Sequence, residues 1–200
     1  MSIKKILSRV LDFLLNDKLF DWYIILYERY FKVKIDKAKI KYYTNRIKNM
    51  GNNSRIRGEP IIHYSDNLFV GEYVRIGEGA FFFCKGGIYI GDNTQISRNI
   101  LIYSADHNME GSAIPYDDIY IDKPVTIGKS VWIGMNVVIT PGVTIGDGAI
   151  IGMGTVISKD VPAGAVVVGA SPRIIKHRDM GSFQEKDVNK EWFGKLWPTI

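Results

Sequence analysis

A chain of 200 residues, 46% hydrophobic and 24% charged, fits one ordinary soluble domain with an appendage. One cysteine excludes an intrachain disulfide framework and fits a reducing compartment. Three histidines without close His/Cys spacing give no metal signature, and no apolar run is long enough to cross a membrane. The formal charge of +5 is unevenly placed: residues 1–55 carry 13 Lys/Arg against 5 Asp/Glu, and the remainder 13 against 16. A basic head on a near-neutral body points to an acidic partner near the N-terminus: a membrane surface, an anionic polymer or a phosphorylated substrate.

Residues 1–50 read as helical. Ile3, Ile6, Leu7, Val10, Leu11, Leu14 and Leu15 fall on one face at helical spacing, and Asn16-Asp17 supplies a break and a cap. A second helix carries Leu19, Phe20, Tyr23, Ile24, Leu26, Tyr27, Tyr30 and Phe31. A third, basic segment runs from Lys37 to Met50 and stops at Gly51. No small-residue cleavage site follows the N-terminal apolar run, so no signal peptide is expected. Two readings stand for this segment. It is a peripheral membrane-surface or partner-binding element, since basic residues flank an aromatic face. Alternatively it caps the end of the array that follows, or packs at an oligomer interface.

Residues 52–67 lead irregularly into that array, with Ile56, Ile61, Ile62 and Leu68 as interior candidates and His63 as an exposed or packing residue. From Val70 an aliphatic residue followed by glycine returns at multiples of six: Ile76-Gly77, Ile90-Gly91, Ile127-Gly128, Ile133-Gly134, Ile145-Gly146 and Ile151-Gly152. A small or β-branched residue holds position five of each unit, as Val131, Val137, Val143, Ala149 and Thr155 do. Alternation along a strand lets positions one and five both face inward, and a corner must lie between them, where glycine at position two relieves the bend. A six-residue period is the signature of a parallel β-helix, and a β-sandwich has no reason to hold it.

The period fails in two places. It slips by two residues between Phe82 and Ile90, where Cys84 lies beside three phenylalanines. With no activating group nearby except Lys85, Cys84 reads as packing rather than as a nucleophile. It is interrupted outright by residues 108–123, a long excursion without repeat character that starts after Ser104-Ala105-Asp106-His107. Long excursions in solenoids are functional, and His107 stands at the root of this one, on a rim. Trp132, just after it, must cover something. His177 lies in the basic run Arg173–Arg178 and reads as solvated. The tail 177–200 ends in Trp192-Phe193 and Leu196-Trp197, which fold back as a short amphipathic helix or meet a partner.

Asp106-His107, Pro115, Pro124-Val125-Thr126-Ile127-Gly128, Val131-Trp132-Ile133-Gly134, Pro141-Gly142-Val143-Thr144-Ile145-Gly146, Ser158-Lys159-Asp160-Val161-Pro162 and Val168-Gly169-Ala170-Ser171-Pro172-Arg173 closely resemble the hexapeptide-repeat acyltransferases. The nearest branch is that of the maltose/galactoside and polysaccharide O-acetyltransferases. The resemblance covers about residues 70–176. It implies a mainly β chain: a left-handed parallel β-helix over 56–176, preceded by a helical segment 1–55 and carrying the loop 108–123. It also implies a homotrimer with acetyl-CoA as co-substrate in a cleft between neighbouring prisms, and His107 as catalytic base. Coenzyme contacts would fall on Trp132, Met135, Gly152, Met153, Ser158, Lys159, Arg173 and Lys176, and acceptor contacts on Asn99 and Asp106. Two departures stand out. Met135 and Met153 replace residues that are often smaller in the family, and Asn108 follows the histidine where proline is common. Asp106, Glu110 and Asp117 are the open choices for a carboxylate that orients His107.

The function implied is an acetyltransferase that moves acetyl from acetyl-CoA to a sugar hydroxyl in surface-polysaccharide or glycan biosynthesis. It would be cytoplasmic, with a peripheral contact at the inner face of the membrane through residues 1–50, and would need neither metal nor nucleic acid. N-acetylation of a free or nucleotide-linked amino sugar is the alternative chemistry. A non-catalytic β-helix scaffold, or a zinc-dependent relative using His63, His107 and His177, is the alternative of another class.

Overall fold

The computed structural model describes residues 4–7, 17–169, 173–192 and 195. The chain divides into two compact units, Met1–Ala38 and Lys39–Ile200. In the first, residues 4–7 are helical; the rest of the expected opening helix, and the Asn16 half of its break, lie outside the described residues. A helix over Asp17–Leu26 continues through a π-helical turn, Tyr27–Phe31, into a helix over Lys32–Thr44. The pause expected between a second and a third helix does not occur, because no glycine or proline interrupts 17–44 and Glu28 pairs with Lys32 across the junction at 2.6 Å. Nor does the helix run on to Gly51. It ends at Thr44, whose hydroxyl accepts a hydrogen bond from the Ile56 N–H at 3.2 Å, and Asn49–Met50 already form a strand paired with Phe69–Val70.

The second unit is the expected left-handed parallel β-helix, a three-faced solenoid. The first face stacks Asn49–Met50, Leu68–Val70, Ile88–Ile90, Val125–Ile127 and Thr144–Ile145. The second stacks Arg55–Ile56, Arg75–Ile76, Gln95–Ile96, Trp132–Ile133, Ile150–Ile151 and Ala165–Val168, with Arg173–His177 added antiparallel at the end. The third stacks Ile61–His63, Phe81–Phe83, Leu101–Tyr103, Val138–Ile139 and Val156–Ile157. The entry coil is regular rather than irregular: Arg55 registers on Arg75 and Ile61 on Phe81. Alternation therefore turns Ile61 outward, against expectation, while Ile56 and Leu68 are fully buried.

Positions one and five fill the prism. Ile76, Ile127, Ile133, Ile139, Ile145 and Ile151 are buried, as are Val131, Val137, Ala149 and Thr155. Each fully buried isoleucine contributes roughly 1.5–3 kcal/mol. The corner, however, is not made by the glycine of position two. The left-handed backbone falls two residues later, at Tyr73, Asn93, Asn99, Ser130 and Asn136 (φ 51–58°) and at Gly148 and Gly154. Glycine at position two answers a different demand, the approach of the next coil. A Cβ on Gly134 would lie 2.6 Å from the Met153 nitrogen, and one on Gly77 2.6 Å from the Ser97 carbonyl carbon, both rigid backbone atoms.

After the solenoid, Asp179 caps a helix over Met180–Val188 by accepting from the Gly181 and Ser182 N–H groups. Trp192 then folds back against Tyr73, with ring centroids 5.6 Å apart, and donates its indole N–H to Asp187 at 3.0 Å. Phe193, Leu196 and Trp197 lie outside the described residues.

The two glycine roles separate by mutation. Gly134→Ala drives a Cβ into neighbouring backbone, and is expected to cost roughly 3 kcal/mol or more. Gly154→Ala meets nothing within 4 Å, and should cost only the left-handed strain of about 1–2 kcal/mol. Urea unfolding of the two variants checks the order.

Candidate active site

The excursion is not structureless. It opens and closes as an antiparallel ladder, with Ala105–His107 against Tyr120–Asp122 and His107 opposite Tyr120. His107 is thus a strand residue at the corner where the third face turns into the first. Its imidazole stacks on Tyr116, with centroids 3.9 Å apart, and contacts Tyr120 at 4.3 Å. Its Nδ1 is buried and has no hydrogen-bond partner, so contact with an incoming group falls to Nε2.

None of the three candidate carboxylates reaches that nitrogen. Asp106 points to the other side of the strand, as alternation requires, and pairs with Lys123 at 2.7 Å. Asp117 is buried and committed to the loop: it accepts from Asn108 Nδ2 at 3.1 Å, from the Ser112 N–H and from the Ile119 N–H. The Glu110 N–H donates to Asn108 Oδ1 at 3.2 Å. Asn108 therefore organises the loop by hydrogen bonding where a proline would only stiffen it. Sequence reasoning missed Tyr116 and Tyr120 as ring contacts of His107. The tyrosine spacing in Tyr116-Asp117-Asp118-Ile119-Tyr120 was the available signal, but nothing periodic fixes where a side chain points inside an insertion. Lys85 was missed as well: it pairs with Asp122 at 3.3 Å, with its ammonium 5.6 Å from the Tyr120 ring centroid.

The other predicted residues gather elsewhere. Met135 and Met153 sit one above the other where the second face turns into the third, since the Gly154 N–H donates to the Met135 carbonyl at 2.8 Å. Asn99 joins the same edge: its Nδ2 donates to Asn136 Oδ1 at 3.1 Å, and the Asn136 N–H donates to the Arg98 carbonyl. Gly152 lies there too, and the backbone of Arg173 reaches it through pairing with Val168. The Arg173 side chain lies outside the described part. Met153 is 74% exposed, Trp132 is exposed on the adjoining second face, and Lys176 is exposed on the terminal strand. Ser158 and Lys159 fall on the next corner, beyond the third face, on the His107 side. The methionine side chains on this edge suit a ligand with an apolar arm. One chain does not bring that edge to His107, because the five-stranded third face separates the two. Among the described residues no cluster of histidine, cysteine and carboxylate groups could hold a metal ion. His63 packs on Phe81 and Phe83 at 5.6 and 6.0 Å, and His177 is exposed.

Residues 124–159 match the family model of the bacterial transferase hexapeptide (six repeats). A maltose O-acetyltransferase from Clostridium difficile 630 is 36% identical, with a TM-score of 0.60 over 66% of this chain and 70% of that one. A hexapeptide-repeat-containing acetyltransferase from Vibrio cholerae is 27% identical, with a TM-score of 0.65 over 72% and 82%. Its complex with acetyl-coenzyme A aligns at 22% identity, with a TM-score of 0.64 over 83% and 92%. Nodulation protein L of Rhizobium meliloti is 38% identical over 111 residues, which is 56% of this chain and 60% of that protein's length.

A covalent route through Cys84 is closed by its surroundings. The thiol is fully buried, and burial pushes its pKa from the ordinary 9.0 up to about 12. Below pH about 9 both folded and unfolded thiols are neutral, and this burial contributes to stability in full. Between about 9 and about 12 the unfolded chain releases the proton and the folded chain does not, so stability falls by up to about 1.4 kcal/mol per pH unit. Cys84→Ala should flatten that part of the pH–stability curve. In the native protein Cys84 should resist alkylation, and react on unfolding in guanidinium.

Proposed function

The chain belongs to the hexapeptide-repeat acetyltransferases, and from that premise we propose that it moves acetyl from acetyl-CoA to a sugar hydroxyl in surface-polysaccharide or glycan assembly, with His107 as general base. The observation that carries this reading is the clamping of the His107 ring between Tyr116 and Tyr120 at the root of the excursion. The unprotonated ring nitrogen of a neutral imidazole is a proton acceptor, so Nε2 can take the hydroxyl proton as that oxygen attacks a thioester carbonyl. Acetyl-CoA supplies the carbonyl and the leaving thiolate. The Met135–Met153 edge lines the donor's apolar arm, Arg173 and Lys176 of the same copy offer cations to its phosphates, and Lys159 offers one from the His107 corner of the next copy. A backbone N–H on a coil edge meets the developing oxyanion. An O-acceptor is favoured by the relative that is more than 30% identical and named a maltose O-acetyltransferase.

The site is shared between copies. The His107 corner and the Asn99–Met135–Met153 edge lie on opposite sides of the third face, so the edge of one copy must meet the corner of the next, and a homotrimer closes that pattern. The outward side chains of the intervening face support this, being apolar or aromatic where solvent would favour polar ones: Phe81, Phe83, Leu101, Tyr103, Val138 and Val156.

His107→Ala is expected to lower kcat by a factor on the order of 10² to 10⁴ with little change in melting; near-full turnover would remove His107 from the mechanism. Refolding that variant together with Met153→Glu should restore activity toward roughly a quarter of wild type, since mixed trimers form some interfaces with both halves intact. No recovery would place the site within one chain. The acetylated product should lose its acetyl group in mild base, as an ester does; a base-stable product would be the amide of an amino sugar.

A further inference from the structure

The helical run ahead of the solenoid carries large apolar side chains that the chain leaves uncovered. Phe20, Trp22, Tyr23, Ile25, Tyr30 and Phe31 are each 51–61% exposed. Rings line up along it, with Phe20 on Tyr23 and Tyr23 on Tyr27, both 6.4 Å between centroids. Within its own unit the solenoid closes the end of its core: Ile47 is 5% exposed, and Tyr43 and Met50 pack against the core with it. The sequence then changes character, and residues 32–48 hold seven Lys/Arg against one acid, Asp36.

That order selects the occupant. A second copy of the segment paired in parallel would bring one basic stretch against another. An anionic lipid surface answers both halves at once: Trp and Tyr settle at the headgroup level with aliphatic side chains just below it, while lysines meet lipid phosphates. Among the described residues no helix is long and apolar enough to cross a membrane. We propose that residues 17–38 dock in the plane of an anionic bilayer, with Trp22, Tyr23, Ile25 and Tyr30 at the headgroup–acyl boundary. Lys32 is engaged by Glu28 at 2.6 Å, which assigns the headgroup contacts to Lys34 and Lys37. The inference stands apart from the acyl-transfer reading and survives its failure.

The test is co-sedimentation of the full chain with vesicles of phosphatidylcholine alone, and with phosphatidylglycerol added. Binding is expected only to the anionic vesicles, and should fall about ten-fold or more as salt shortens the Debye length. Lys34→Gln and Lys37→Gln should each weaken it about five-fold, and Trp22→Ser with Ile25→Ser should weaken it further without changing the melting curve. Equal binding to neutral vesicles, no binding to anionic ones, or full binding by the Trp22/Ile25 variant overturns the proposal. So does a change in solution mass of that variant in place of a change in vesicle binding, which would assign the face to contact between copies.

Discussion

Parallel strands stacked by backbone hydrogen bonds sit about 4.8 Å apart, and in a three-faced solenoid that spacing must hold at the corners as well as on the faces. It is the corners that the sequence has to accommodate. At Gly77, Gly91 and Gly134 a Cβ would come within 2.6 Å of the next coil's backbone, so position two is kept bare by its neighbour and not by its own dihedral angles. The left-handed turn is displaced to position four, where asparagine or glycine usually stands and where Ser130 and Tyr73 also adopt it. With both constraints met, the coils stack in register, and outward side chains form vertical rows. Phe69 stacks on Tyr89 at 5.0 Å, and Asn99 bonds Asn136. The edges used by the candidate site are such rows.

The excursion is grafted into this lattice without breaking it. The Lys123 N–H donates to the Ser104 carbonyl at 2.8 Å, and the Gly142 N–H to the Lys123 carbonyl at 3.0 Å. The coil thus closes across residues 104 and 123 as though 105–122 were absent. The buried Ser104 hydroxyl completes the joint, accepting from the Gly86 N–H and donating to the Phe83 carbonyl. The inserted hairpin then has its own internal order, built on the buried Asp117 carboxylate and on the stacked rings around His107. A rigid joint with an independently organised hairpin positions an imidazole better than a flexible loop would.

What the sequence made legible follows from the same physics. The six-residue beat is visible because the approach of the coils dictates it, so the fold, the break at His107 and the common edge of Met135 and Met153, eighteen residues or one coil apart, could all be read from it. The entry coil was misread because Arg57 stands where the glycine would be, although its strands are in register with those above. The helix boundary at Thr44 was misplaced because it is set by a tertiary contact to Ile56, not by a local stop signal. Tyr116 and Tyr120 were invisible as partners of His107, since an insertion has no period to say which side chains converge.

A solenoid of this kind has no hinge. Its core is one continuous apolar column through every coil, and shifting one edge toward another would break stacked ladders on all three faces. His107 and the Met135–Met153 edge stand on corners separated by a full sheet, so no internal motion of modest cost brings them together. On the proposed reading, assembly is what completes the site. Residues that decide oligomerisation, such as the outward apolar side chains of the third face, then govern turnover as directly as His107 does, and substitutions there should be felt in kcat even though they touch neither substrate.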